Sequence, residues 1–255
     1  MISADLSGKT ALVTGGASGV GLATVELLAK CGAAVALNHR ANNKSAALEV
    51  ERLTKLGYRV IAAPGDVGSA REAERMVAQV VEQLGRLDIL VNNAGTPGTA
   101  AKGKRIDYGD LEILTEDWWT EVLSTNLIGP FRCVRAAAPA LKAASGSAIN
   151  VASVAGISPV GSNMIYGASK AALIRLTSYL SRALAPEVRV NAVAPGFVDT
   201  PWTEAWPAEI KQAAIARTPL RRACTAQDIA EAILFLGAGA AMITGQTLVV
   251  DGGLL

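Results

Sequence analysis

Tyr166 and Lys170 stand four residues apart, a spacing that sets both on one face of a helix. A phenol alone is a poor acid or base near neutrality, because its reference pKa is about 10. An ammonium beside it favours the phenolate and lowers that value. So paired, a tyrosine can exchange a proton with an alcohol or carbonyl oxygen. Ser153 lies just beyond an apolar run at 148–151, and its hydroxyl can hold the same oxygen. Each of the three also has a plain structural use, as a buried phenol, a helix-surface lysine or a capping serine. What surrounds them decides between these uses.

A glycine-rich turn supplies the context. Thr14-Gly15-Gly16-Ala17-Ser18-Gly19-Val20-Gly21 follows a strand-like run at 10–14 and opens an apolar-faced helix. Glycines there permit a tight turn, let backbone approach a pyrophosphate and leave N–H groups at a helix N-terminus facing negative charge. Gly15, Gly19 and Gly21 read GxxxGxG, not GxGxxG, and no Lys-Ser/Thr pair of a nucleoside-triphosphate loop accompanies them. A dinucleotide is therefore expected, with its nicotinamide adding positive charge beside Tyr166. The second strand ends Leu37-Asn38-His39-Arg40, without the acid that would bond ribose hydroxyls. Arg40 can pair bidentately with a 2′-phosphate, so NADP(H) is preferred over NAD(H), unless Arg40 is only an exposed charge. His39, the one histidine, has no partner in an obvious motif and is expected to line the adenosine region or solvent. Asp66 can accept from an adenine amino group, with Val67 against the ring. Asn92-Asn93-Ala94-Gly95 offers small residues and amides where a dinucleotide must cross the sheet edge.

Stepped along the chain, the pattern predicts the elements that hold these groups. Strands are expected at 10–14, 34–37, 60–63, 89–91, 148–151, 189–193 and 247–250. Helices are expected after the glycine turn and at 44–56, 71–84, 118–144, 166–184 and 226–236. Alternating strand and helix predicts a parallel sheet covered on both faces, because parallel neighbours need crossover helices. No linker separates the halves, so residues 1–255 read as one doubly wound α/β domain. Irregular intervals fall at 96–116 and 196–224, the second long enough for a lid.

Bulk properties remove other classes. The chain is 51% apolar and 18% charged, with 24 basic and 22 acidic side chains, which gives no basic face for nucleic acid. The local cluster Lys102, Lys104 and Arg105 is solvated loop charge or a contact for an anionic substrate or carrier. Cys31, Cys133 and Cys224 are far apart and odd in number, suiting a reducing compartment, and none has metal-ligand spacing, so no metal is expected. The start does not resemble a signal peptide, and no run reaches the apolar length of a membrane span. A cytoplasmic location is expected.

Taken together, TGGASGVG at 14–21, NNAG at 92–95, Asn126, Ser153, YGASK at 166–170 and Pro195-Gly196 followed by Thr200 resemble the classical short-chain dehydrogenase/reductase family over essentially the whole chain. The gaps from Asn126 to Ser153 and from Ser153 to Tyr166 fit the family pattern. The resemblance implies a single-domain Rossmann-type fold and an enzyme moving hydride between nicotinamide and a carbonyl or secondary alcohol. Tyr166 would be the general acid/base, Ser153 would orient the substrate oxygen, and Lys170 would bind the nicotinamide ribose. Asn126 would kink its helix and hold a water in a proton relay. Val198 and Thr200 would meet the carboxamide, with Asp66 and Asn92 on the adenosine side and Ala94 and Gly95 along the dinucleotide. Some NADP-dependent members carry a second basic residue where Ser18 stands here. Members are commonly tetramers, so a homo-oligomer is expected. The substrate is less determined. Trp202, Trp206, Pro201, Pro207 and Ile210 could close over a hydrophobic or ring-bearing ketone, and a 3-oxoacyl thioester leads among carbonyl classes. Oxidation of a sugar, steroid or small cyclic alcohol stays open. An NAD-dependent alcohol dehydrogenase and a non-catalytic dinucleotide-binding regulator are the alternatives.

Overall fold

A computed structural model of the chain describes residues 3–40, 44–98, 110–161 and 163–255. Seven parallel strands form one sheet: β1 (Thr10–Val13), β2 (Ala34–His39), β3 (Val60–Pro64), β4 (Ile89–Asn92), β5 (Ser147–Val151), β6 (Arg189–Pro195) and β7 (Thr247–Val250). Their order is β3-β2-β1-β4-β5-β6-β7. Val13 is in register with Leu37 of β2 on one side and Val91 of β4 on the other. The chain therefore reverses its winding between β1 and β4, and a crevice opens there at the carboxyl ends of the strands.

Strand alternation explains the two cores. Ala11 and Val13 face one side of the sheet and Leu12 the other; Ile89 and Val91 oppose Leu90 in the same way. One face is covered by α1 (Gly19–Lys30), α2 (Lys44–Lys55) and α8 (Ala226–Ala238). The other is covered by α3 (Ala70–Leu84), α5 (Gly129–Ala144) and α6 (Met164–Leu184). Both faces being apolar is why the central strands read as continuous hydrophobic runs. Of the cysteines, Cys133 is buried in the second core, and burial pushes its thiol up to about 12, which leaves it an inert packing residue.

Three readings of the sequence need correction. β2 runs two residues further than the expected 34–37, which brings Asn38 into the sheet and His39 to its end. The helix expected over 118–144 is α4 (Glu116–Leu123), a π-helical turn (Ser124–Ile128) and α5. The extra residue in that turn falls around Asn126, where the intrahelical ladder yields to side-chain bonds described below. The interval 196–224, read as irregular, contains α7 (Ala208–Arg217). None of its residues is buried, so it carries no apolar stripe that a periodicity argument can detect. Among the described residues, no helix is long and apolar enough to cross a membrane. Lys102, Lys104 and Arg105 lie outside the described residues.

Candidate functional site

The glycine turn sits at the carboxyl end of β1. Gly15 (φ 61°) and Gly19 (φ 52°) adopt left-handed backbone that side chains resist. Gly21 is required by proximity: a Cβ there would stand 2.2 Å from the Gly15 carbonyl oxygen and 2.6 Å from Asn93 Nδ2. Ser18 takes an extended backbone at the N-cap of α1, and its side chain caps none of the helix amides. The first-turn N–H groups of Gly19, Val20 and Gly21 thus have no intrahelical carbonyl and point out of the helix, where the dipole favours an anion.

Asparagines clamp this turn from both sides. Asn93 Nδ2 donates to the carbonyls of Thr14 (2.9 Å) and Gly15 (3.1 Å), and Thr14 Oγ1 accepts from the amides of Asn93 (2.9 Å) and Ala94 (3.0 Å). From β2, Asn38 Oδ1 accepts from the Gly15 amide at 3.1 Å. Next along β2, His39 is half-buried, with Nδ1 2.9 Å from the Arg40 carbonyl, and Arg40 is exposed at the rim. Asp66 spends one carboxylate oxygen on the Gly68 amide at 2.7 Å. The Val67 side chain is buried in the core beside Gly129, and Asn92 is buried with its Nδ2 on Asn150 Oδ1 at 2.9 Å. These two expected contact residues therefore face inward, whereas Asn93, Ala94 and Gly95 come to the crevice.

The reacting group assembles from two neighbouring segments. Ser153 follows β5 in extended backbone, its Oγ accepts from the Ala155 amide (3.1 Å), and its hydroxyl is close enough to act on the Tyr166 phenol. A Cβ on Gly156 would lie 2.6 Å from the Lys170 carbonyl carbon, so only glycine lets this turn rest on α6. Asn163 caps α6 by accepting from the Tyr166 amide at 2.8 Å, which fixes the start of the helix carrying Tyr166 and Lys170. Lys170 Nζ donates to the Val151 carbonyl at 2.6 Å and lies 5.6 Å from the Tyr166 ring centroid.

Electrostatics here differ from the simple expectation of a lysine-lowered phenol. Burial pushes the Tyr166 phenol up to about 12, with the Ser153 hydroxyl pulling the other way. Burial likewise brings Lys170 down to about 8. The ammonium is directed at a backbone carbonyl, and burial dominates the shift at both groups. In this arrangement the phenol is a held proton, suited to protonating an oxygen that gains charge.

Asn126 lies fully buried in the π turn and holds the segment after β4: Oδ1 accepts from the Thr96 amide (2.8 Å), and Nδ2 donates to the Thr96 carbonyl (2.9 Å) and Ser169 Oγ (3.1 Å). Trp118 Nε1 and Asn163 Nδ2 both donate to the Pro97 carbonyl, at 2.9 and 3.1 Å. Across the crevice, β6 ends at buried Pro195, and the Gly196 amide bonds the Val250 carbonyl at 2.9 Å. Val198 bridges to Cys224, and Thr200 lies over Gly19, whose Cβ position would be 3.5 Å away. Buried Thr203 anchors this segment through the carbonyls of Val198 (3.0 Å) and Thr200 (3.1 Å). The two lid tryptophans part company: Trp206 stacks on Phe197 at 5.8 Å, whereas Trp202 is half-exposed with its ring 5.9 Å from that of Tyr166.

Sequence reasoning missed Asn38, Asn163, Trp118, Thr203 and the Asn93 side chain. A signal existed for some of these: Asn38, Asn92-Asn93 and Asn150 each fall near the end of an apolar strand run, where loose carbonyls and amides need partners.

Known proteins match this arrangement over its whole extent. The family model described as enoyl-(acyl carrier protein) reductase matches residues 15–255. The 3-oxoacyl-(acyl-carrier-protein) reductase FabG of Staphylococcus aureus is 38% identical over 250 residues, covering 96% of this chain and 98% of that protein. FabG of Thermotoga maritima is 38% identical over 256 residues, covering 98% and 99%. Among solved structures, a short chain dehydrogenase from Burkholderia cenocepacia in complex with NADP superposes with a TM-score of 0.87 at 35% identity, covering 98% of this chain and 99% of that one.

Proposed function

The chain belongs to the short-chain dehydrogenase/reductase family of oxidoreductases, and on that footing we propose that it is an NADPH-dependent carbonyl reductase with Tyr166 as proton donor. The observation that carries this reading is the meeting of Ser153, Tyr166 and Lys170 at the same sheet edge as the uncapped glycine turn.

The residues fit a dinucleotide. The first-turn amides that follow the glycine turn suit a pyrophosphate, since the Ser18 side chain caps none of them, and exposed Arg40 suits a 2′-phosphate. His39 and Asp66 flank the adenosine side, Ala94 and Gly95 line the crossing, and Val198 and Thr200 close the carboxamide end. When bound, the nicotinamide supplies the hydride. Ser153 holds the substrate oxygen, Tyr166 Oη delivers its proton to that oxygen, and Lys170 keeps positive charge beneath the ring. Asn126 positions the Thr96 segment and Ser169 beside Lys170. The FabG relatives suggest a 3-oxoacyl thioester as the first substrate to try.

Tyr166→Phe is expected to bind NADPH as the wild type does while kcat falls about 10²- to 10⁴-fold; turnover near the wild-type rate would sink the assignment. Fluorescence titration of NADPH and NADH against Arg40→Ala tests the cofactor. A preference for NADPH that vanishes with Arg40 supports the phosphate contact, and a wild-type preference for NADH reverses it. We read the protein as a cytoplasmic homo-oligomer, a tetramer. Support comes from half-exposed Phe235, Leu248 and Val249 on α8 and edge strand β7, which light scattering on the purified protein would check.

A further inference from the structure

Asn38 occupies a position that the chemistry above leaves unused. It is the fifth residue of β2, 2% exposed, and both polar atoms of its side chain are engaged. Oδ1 accepts from the Gly15 amide at 3.1 Å, and the backbone carbonyl accepts from the Gly16 amide at 2.9 Å. Nδ2 donates to the carbonyls of Ala63 and Gly65, both at 2.9 Å, and lies against the Met76 sulfur. One side chain thereby joins three parts of the cofactor crevice. These are the turn after β1, the segment that leads from β3 to Asp66, and, through its own backbone, the His39-Arg40 rim.

The chemistry of the two ends of the amide matters. A buried carboxamide satisfies a donor on one strand and two acceptors on another at once, which neither a hydroxyl nor a carboxylate of the same reach can do. Gly15 is held from the opposite side by Asn93, so its left-handed peptide is fixed between two side-chain amides. We infer that Asn38 is a positioning residue for the cofactor: it sets the height of the glycine turn relative to the adenosine side, and so determines dinucleotide affinity without taking part in proton or hydride movement. This rests on the dinucleotide reading of the turn.

Such a residue changes binding in the ground and transition states alike, so its loss raises KM for the cofactor and spares kcat at saturation. Asn38→Ala removes both ends of the link. Asn38→Asp keeps the volume and the acceptor for Gly15 but turns a carboxylate oxygen toward the Ala63 and Gly65 carbonyls, and it serves where the alanine variant is unstable. Steady-state kinetics and NADPH fluorescence titration on the purified full chain should show KM and Kd for NADPH rising tenfold or more in both variants. The expected kcat at saturating NADPH stays within about twofold of the wild type. An unchanged Kd, or a loss confined to kcat, would overturn the inference while leaving the enzyme assignment intact. A wild-type protein that binds neither NADPH nor NADH would overturn both.

Discussion

The glycine turn and the lid lie next to each other at Gly19 and Thr200, yet they are held by opposite means. The turn is braced through side-chain amides, buried Asn38 from β2 and half-buried Asn93 just after β4. The lid is fastened at its base by Thr203 and the Val198–Cys224 bridge and at its far end by the Leu220 amide on the Gly252 carbonyl, while its helix α7 has no buried residue. The turn must meet the same phosphates in every turnover and tolerates a rigid fit. Stability is not uniform within a protein, and the two regions differ in how firmly their backbone is tied down.

Single substitutions can break or sharpen that contrast. The largest effect is expected in the turn. Gly21→Ala drives a methyl group against the Gly15 carbonyl and the Asn93 amide, an overpacking of about 1–3 kcal/mol in a place that cannot relax. NADPH affinity should fall about 10- to 100-fold by titration, and an unaltered Kd would mean that the turn is softer than its bonds imply. A smaller effect is expected at the lid tip: Trp202→Leu should raise KM for a ring-bearing ketone by less than about tenfold and leave NADPH binding alone. Trp206→Leu should instead cost about 1 kcal/mol of stability through its lost stack on Phe197, read by denaturant titration. Equal substrate effects from the two tryptophans would erase the distinction between them.

A last test concerns the buried charge of Lys170 in the reacting group, and its readout is stability. Burial holds folded Lys170 near 8, below its ordinary 10.5, so the folded state releases a proton that the unfolded chain keeps between those values. Stability contributed at this site therefore rises with pH from about 8 to 10.5, and the penalty is fully present at pH 7. Lys170→Met should raise Tm by a few degrees at pH 7, the gain shrinking as pH climbs past 8, while turnover is lost. A gain that grows with pH would show that the ammonium is not penalised by its surroundings.

Much of this layout is legible in the sequence. The strands follow from apolar runs bounded by turn residues, and Ser153, Tyr166 and Lys170 come together because a strand end and a helix start fix their spacing. Periodicity could not find α7, whose sides are all exposed or half-exposed. Nor could it see that Asn92 turns inward, since adjacent positions at a strand end point to opposite sides and one residue of register decides which, or that Val67, in the turn after β3, packs into the core. Buried asparagines escape for a related reason: alone in a sequence they look like loop residues, and only the folded sheet supplies the carbonyls they satisfy.

The reversal of winding between β1 and β4 carries a consequence for how the chain acquires its form. The turn after β1 is braced by β2 and β4, the reacting group needs β5 and α6, and the lid leaves from β6. Each neighbouring pair is parallel, so its closure waits on an intervening crossover and the loop entropy that goes with it. No early fragment of the nascent polypeptide holds the whole crevice. Recovery of turnover after dilution from denaturant would therefore lag behind the return of helical signal, and activity would mark the completed sheet.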